Sequence, residues 1–513
     1  MTLALSIAYF FVLLVLSTYG LHRAHLVLLC WRHRRQLERV AEHAGVYVAD
    51  RDLPMVTIQL PIFNESTVVA RLLESVAQMD YPREKLHIQV LDDSTDETRA
   101  IARAHVELLK KRGHSAEYVH RVDRVGYKAG ALDNGLKTAK GELVAIFDAD
   151  FVPRGDFCRA IVGHFRDPKV AMVQARWAHL NRDASILTRI QALMLDGHHL
   201  VENRARSGGG LLFNFSGTGG MWRKAAIADA GGWQHDTLTE DLDLSYRAQL
   251  SGWRFIYRPD VVSPAELPEE IAALRAQQFR WAKGTVQTAR KLLRRVLAKE
   301  SGLSVGQRIE AFFHLTPHFT YPLMVVLSLL LLPVLLLVDA SDWKTMLLFD
   351  LPMCMAPMSS LASFYMVAES AQGRSRLGAI KLLPALVALG AGLAPHLTTA
   401  VDAGLTTGGG EFVRTPKAGN SRGRYHARTP MPWAELALGG VSASSVVLSV
   451  VNGHWFVTPF VGLFTAGYLY IAYLVVAEQV ARTTKATPVP ELAAMASPTT
   501  DAADAAVATE LAA

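Results

Sequence analysis

The apolar residues of this 513-residue chain are gathered at its two ends. A run from Leu3 to about Leu21 opens the chain. Strongly apolar stretches return at about Phe319 to Val338, Thr345 to Ala368, Leu382 to Val401, Trp433 to Val451 and Trp455 to Ala477. About 20 apolar residues in a helix span the hydrocarbon core of a bilayer, so each stretch is a potential membrane span. With 50% hydrophobic residues and a mean hydropathy of +0.17, the chain is too apolar for a string of water-soluble domains and reads as an integral membrane protein.

Charge orients these stretches. His22-Arg23 and Trp31-Arg32-His33-Arg34-Arg35 follow the first run and place its C-terminal flank in the cytoplasm. A cleaved signal peptide needs a basic region before the run and a small-residue cleavage site after it, so an anchor is expected instead. Arg374, Arg376 and Lys381 want the cytoplasm, and so do Arg414, Lys417, Arg422, Arg424 and Arg428, yet one span between the two groups would separate them. One stretch is therefore expected not to cross. Leu382 to Val401, with Pro384, Gly390, Gly392, Pro395 and His396, is the weakest and reads as re-entrant or interfacial. Five spans remain, in the plasma membrane or, in a bacterium, the inner membrane.

Between the apolar ends, residues from about Pro54 to Gly284 alternate strand-like runs with amphipathic stretches, the pattern of an α/β domain with a mostly parallel sheet. Met55 to Pro61 reads as the first strand and Glu65 to Met79 as a helix with Val68, Val69, Leu72, Leu73 and Val76 on one face. The runs Leu86 to Leu91 and Leu143 to Phe147 read as buried strands ending at acidic residues, where open α/β sheets bind ligands. The expected organisation is a first membrane segment (1–31), a cytoplasmic catalytic domain (32–284), interfacial amphipathic helices (285–318), a C-terminal membrane region (319–480) with a basic loop at 411–430, and a disordered tail (481–513). Only Cys30, Cys158 and Cys354 occur, widely spaced, so neither a disulfide framework nor a zinc site is expected. The net charge of +6 lies largely beside apolar spans, which points to anionic membrane lipids and ligand phosphates and not to nucleic acid.

Four motifs carry the chemistry in order: Asp92-Asp93, Asp148-Ala149-Asp150, Thr239-Glu240-Asp241, and Gln277-Gln278-Phe279-Arg280-Trp281. Two aspartates one residue apart can offer hard oxygen ligands to Mg²⁺ or Mn²⁺, though a D-x-D alone is by default a solvated loop. Asp241 is placed to take a proton from an attacking hydroxyl, and Thr239 to cap the helix that the acidic run opens. Arg280 can meet a diphosphate and Trp281 a sugar face.

In this order the motifs resemble the D, D-x-D, T-E-D, Q-x-x-R-W signature of processive family-two glycosyltransferases, the cellulose, hyaluronan, chitin and mannan synthases. Gly126-Tyr127-Lys128-Ala129-Gly130, Gln174-Ala175-Arg176-Trp177, Leu187-Thr188-Arg189-Ile190-Gln191 and Gly217-Thr218-Gly219-Gly220-Met221-Trp222-Arg223 are most similar to the cellulose-synthase-like branch that makes β-1,4-mannan, glucomannan or the xyloglucan backbone. Phe412-Val413-Arg414-Thr415-Pro416-Lys417 resembles the gating loop F-x-V-T-x-K, with Arg414 where that pattern has Val.

The resemblance implies a GT-A-type α/β domain inserted between transmembrane helices, and a donor such as UDP-glucose or GDP-mannose. Asp93, with Asp92 beside it, would read the base. Lys128 and Arg280 would contact the diphosphate, and Asp150 would hold the metal with Asp148 in support. Asp241 would be the base, with Glu240 next to it. Gly217, Thr218, Gln277 and Trp281 would border the acceptor, and Phe412, Thr415 and Lys417 would gate the donor site. The implied reaction is inverting hexosyl transfer that lengthens a β-linked glucan, mannan or glucomannan and extrudes it. Two alternatives stay open: transfer of one sugar to a lipid acceptor, and a catalytically silent membrane scaffold.

Overall fold

The computed structural model describes residues 2–36, 48–337, 348, 351–411 and 430–486. Its centre is a seven-stranded sheet: β1 (Val56–Ile62), β2 (Leu86–Asp92), β3 (Ser115–His120), β4 (Leu143–Ile146), β5 (Val170–His179), β6 (Gly220–Arg223) and β7 (Arg254–Ala265). The order is β3-β2-β1-β4-β6-β5-β7, with β6 antiparallel to both neighbours and every other pairing parallel. Every residue of β1, β2 and β4 is buried, as near-continuous apolar runs predict for parallel strands covered on both faces. The chain winds from β1 outward to β2 and β3, then returns to lay β4 on the other side of β1. That reversal opens a crevice at the carboxyl ends of the strands. Register sets what lines it: Ile62 pairs with Asp92, and Asp92 with His120, so Phe63, Asp93 and Arg121 leave the sheet side by side.

The expected first helix is shorter than its sequence pattern. It runs Val69–Ala77, because Asn64 turns the chain through a left-handed conformation (φ 54°) and residues 66–68 form turns. A larger correction concerns Lys283 to Lys299, expected to start a separate group of interfacial helices. It is the second half of one helix, Ile271–Leu297, and Leu292 and Val296 pack into a cluster with Leu242, Tyr246 and Leu315. Its apolar face is covered by protein, and the expected domain boundary after residue 284 falls inside an unbroken helix.

Among the described residues, six helices are long and apolar enough to cross a membrane, the architecture of an integral membrane protein. Five of them meet the sheet-bearing domain at one end only. On the first, Thr2–Arg32, His22 Nε2 lies 2.7 Å from Glu310 and Cys30 Sγ 3.9 Å from the Leu200 carbonyl, both in its C-terminal half. Thr320–Leu337 starts beside the domain and ends where Asn452 donates to the Leu335 carbonyl (3.0 Å). Leu351–Ser370 returns to place Glu369 2.7 Å from Arg182. Trp433–Val451 leaves from Glu435, paired with Arg275, and Thr458–Ala486 comes back with Glu478 against Ile271.

The sixth helix, Arg376–Thr406, differs. Just before it, Gln372 accepts from Arg176 (3.4 Å); at its end, Arg290 donates to the Leu405 carbonyl and Gln287 to those of Thr407 (3.1 Å) and Gly409 (2.7 Å). Ties to the domain at both ends fit a helix that lies along it, as the interfacial reading expects, while its length and hydropathy are also those of a span. The helix is continuous through Pro384 and Pro395. Gly392 lets it cross Thr458–Ala486 closely, for a Cβ there would run into the Gly467 carbonyl.

This geometry predicts the outcome of a labelling experiment. In sealed vesicles, single cysteines at Arg374 and Gly408, both exposed, should react with a membrane-impermeant thiol reagent from the same face, the one that exposes the sheet-bearing domain. Labelling of the two from opposite faces would make Arg376–Thr406 a sixth span.

Candidate active site

One end of the crevice is built where β1, β2 and β3 stop. Asp93 is 6% exposed and held by Arg121, whose Nε and Nη2 donate to its two oxygens at 2.8 and 2.5 Å. The same guanidinium binds the carbonyls of Val125 (3.0 Å) and Tyr127 (2.9 Å) and so shapes the turn between them. In that turn Arg124 lies 3.3 Å above the Phe63 ring centroid. Asp92 does not reach the crevice: it is fully buried, with its oxygens accepting from the Ser94 amide (2.8 Å) and the Tyr118 hydroxyl (2.6 Å). The last residue of a strand alternates face with its neighbour, so only one of two adjacent aspartates can point outward.

The centre lies at the end of β4. Lys128, on the helix Tyr127–Leu136, donates to Asp148 (2.5 Å) and to the Gly217 carbonyl (3.0 Å). Asp148, Asp150, Glu240 and Asp241 line the same cleft. The helix Glu240–Leu250 begins with the last two, which is the favourable end of its dipole for acidic groups. Thr239 does not cap this helix. Its hydroxyl lies 3.2 Å from that of Thr288, while Asp241 accepts from the Leu242 amide (2.8 Å). Gly217 is required twice over: its φ is +80°, and a Cβ there would stand 3.1 Å from Asp241 Oδ2. Thr218, expected beside the acceptor, is 1% exposed, and its hydroxyl accepts from the Asp148 amide (2.9 Å), so it fixes the D-x-D loop from behind.

The far wall comes from the helix Ile271–Leu297, which sends Gln277, Arg280 and Trp281 into the cleft. Trp177, His179, Leu195 and Glu266 complete it, with Glu266 held by Arg71 at 2.7 Å. The expected gating residues Phe412, Thr415 and Lys417 lie outside the described residues. Sequence reasoning missed Arg124, Phe63, His179 and Glu266, which stand in no motif. The excess of arginine in the turn after β3 was the one available signal, since a buried Asp93 needs a cation.

Residues 54–284 match the family described as glycosyltransferase like family 2. They are a family 2 glycosyltransferase domain. Over 258 residues the chain is 43% identical to a probable glucomannan 4-beta-mannosyltransferase 7 of Oryza sativa subsp. japonica, covering 49% of this chain and 44% of that one. It is 41% identical over 260 residues to glucomannan 4-beta-mannosyltransferase 2 of Arabidopsis thaliana, covering 50% and 49%. The chain thus spans about half the length of the curated relatives it matches. In fold it is similar to the mannosyltransferase PcManGT from Pyrobaculum calidifontis in complex with GDP-Man and Mn²⁺, with a TM-score of 0.50 and 24% identity over 70% of this chain and 97% of that one. The domain is of the GT-A type.

Electrostatics in the glycosyltransferase domain follow from crowding acids in a partly dry cleft. Burial and then the neighbouring Glu240 charge push Asp241 up to about 7, and burial raises Glu240 as well. Burial would lower Lys128, but the carboxylates of Asp148, Glu240 and Asp241 outweigh it and hold the ammonium above its usual value. The donor set suits a hard divalent cation. Asp148 and Asp150 supply carboxylate oxygens and no thiol is near; among the described residues no group of three protein ligands exists, which suits a cation whose shell is completed by water or substrate oxygens.

The acid pair makes a pH prediction. A proton acceptor at Asp241 works only when deprotonated, so turnover should rise through a limb near pH 7. Glu240→Gln removes the adjacent charge and should move that limb to lower pH. A kcat profile whose acidic limb stays in place in the variant would mean that Asp241 does not set it.

Proposed function

We propose that this protein is an inverting hexosyltransferase that passes a hexose, mannose foremost, from a nucleotide sugar to the end of a growing β-1,4-linked mannan or glucomannan. The observation that carries the reading is the meeting of Asp150, Asp241, Lys128 and Arg280 in one cleft, drawn from four separate segments. The domain's similarity to glucomannan mannosyltransferases supports the choice of sugar. UDP-glucose is the other donor to test, because glucomannan contains both hexoses.

In this reading the base of the donor lies against Phe63 and Asp93, and its diphosphate near Lys128 and Arg280. An Mg²⁺ or Mn²⁺ held by Asp150 and Asp148 would neutralise charge on the departing diphosphate. Trp281 offers an aromatic face to the terminal sugar of the acceptor, and Gln277 a hydrogen bond. Asp241 takes the proton of the attacking hydroxyl as it displaces the diphosphate in line from the anomeric carbon, which turns an α-linked donor into a β-linked product. Burial serves this step, because a carboxylate raised to about 7 is a better acceptor at neutral pH than a solvated one. The basic flank at Arg32, Arg34 and Arg35 sits at the domain end of the first span, which supports a cytoplasmic domain and export of the product through the spans.

Two measurements test this reading. With labelled GDP-mannose or UDP-glucose and the protein in lipid vesicles, Asp241→Asn should cut transfer by about 10²- to 10⁴-fold while nucleotide binding persists. Near-normal turnover would remove Asp241 from the chemistry. A wild-type product that is a lipid bearing one sugar would replace polymer synthesis by single transfer. Separately, EDTA should stop transfer and Mn²⁺ or Mg²⁺ restore it; undiminished activity in excess chelator would leave charge neutralisation to Lys128 and Arg280.

A further inference from the structure

His179 is the last residue of β5 and borders the cleft beside Trp177, four strands along the sheet from the β2 end that bears Asp93. At about 4.8 Å per strand that is roughly 19 Å, well past the position of the nucleotide base. No proton transfer in the mechanism above uses it. Its placement is nonetheless controlled. Nε2 lies 3.1 Å from Asp196 Oδ1, and Asp196, at 0% exposure, is bound on its other oxygen by Arg182. Arg182 in turn reaches Glu369 at 2.7 Å, on the last turn of the span Leu351–Ser370.

Burial would raise the Asp196 carboxyl, but the His179 and Arg182 contacts outweigh it and keep Asp196 ionised. An ionised carboxylate can only accept, so Nε2 carries the hydrogen of that contact and Nδ1 is the nitrogen left for a second hydrogen bond. Among the described residues Nδ1 has no hydrogen-bond partner. The ring is therefore orientated from the membrane side while its second nitrogen remains available on a wall that also presents Trp177 and Leu195. An apolar face joined to a fixed hydrogen-bonding nitrogen is what a sugar ring with its hydroxyls matches.

We propose that His179 is an acceptor-site residue, whose Nδ1 shares a hydrogen bond with a hydroxyl of the saccharide chain where that chain passes from the catalytic centre toward the membrane helices. Asp196 and Arg182 are positioning residues that tie this contact to the end of a span. The proposal rests on the reading of the domain as one that lengthens a saccharide.

The test uses the full chain in lipid nanodiscs, with a saturating labelled nucleotide sugar and a soluble β-1,4-manno-oligosaccharide acceptor of varied concentration. His179→Phe, which keeps a ring of similar bulk, should raise the acceptor KM roughly tenfold, the effect of one lost hydrogen bond. The donor KM and the slow hydrolysis of donor by water should stay within twofold of wild type. His179→Gln, which retains an acceptor atom, should recover part of the loss. An unchanged acceptor KM in His179→Phe overturns the proposal. So does an equal rise in donor KM or a loss of nucleotide binding, which would make His179 a packing residue. A wild type that transfers sugar to no saccharide, from either donor, removes the underlying reading and the proposal together.

Discussion

The carboxylate of Glu478, near the end of the last membrane helix, accepts from the backbone N–H groups of Ile271 (2.5 Å) and Ala272 (3.2 Å) and so closes the open N-terminus of the helix Ile271–Leu297. One turn on, Arg275 pairs with Glu435 at 2.8 Å, both side chains 3% exposed. Removing one partner of such a buried pair leaves an uncompensated charge and costs about 3–5 kcal/mol. Gln277, Arg280 and Trp281 follow within two turns, so their aim into the cleft is set by two membrane helices. The active site is for this reason shared between the α/β domain and the membrane region.

A second tie runs to the helix that bears Asp241. Glu310 accepts from His22 of the first span (2.7 Å) and from Arg206 (3.0 Å), and Arg206 also reaches Glu202 (3.3 Å) in a short π-helical turn, His198–Glu202. Four residues beyond Glu310, His314 Nδ1 lies 2.8 Å from the Tyr246 hydroxyl, five residues past Asp241. Buried polar groups with their partners in place specify one arrangement strongly, because any slip leaves several of them unsatisfied. Asp241 and Trp281 are thereby referenced to the same set of membrane helices, and in the proposed reaction an error of about 1 Å between them would already be costly for in-line transfer.

The cleft itself holds a deliberate charge imbalance. Asp148, Asp150, Glu240 and Asp241 face it together, with Lys128 bound to only one of them at close range. Burial together with neighbouring like charge raises the affinity of Glu240 and Asp241 for protons. The folded protein alone relieves this by keeping Asp241 and Glu240 easy to protonate. A cation entering with a diphosphate would relieve it differently, which couples donor binding to the state of the base.

Much of this was legible in the chain. Apolar stretches of bilayer length and the basic clusters beside them depend only on local composition, so the long apolar helices could be read directly, as could the buried strands that lead into Asp93 and Asp148. Motif order brought Asp150, Asp241, Gln277, Arg280 and Trp281 to one site before any coordinate did. What only the tertiary structure decided was which way side chains face and what covers them. Asp92 turns inward and Asp93 outward through the strand register, Thr218 supports the D-x-D loop, and the basic half of Ile271–Leu297 is covered by protein where its amphipathic pattern alone pointed to lipid. His179 joined the cleft through β5 and through Asp196, residues that no local pattern links to the motifs. Local composition fixes what a segment prefers to contact, but the identity of the contact depends on segments distant in the sequence, and only packing brings those together.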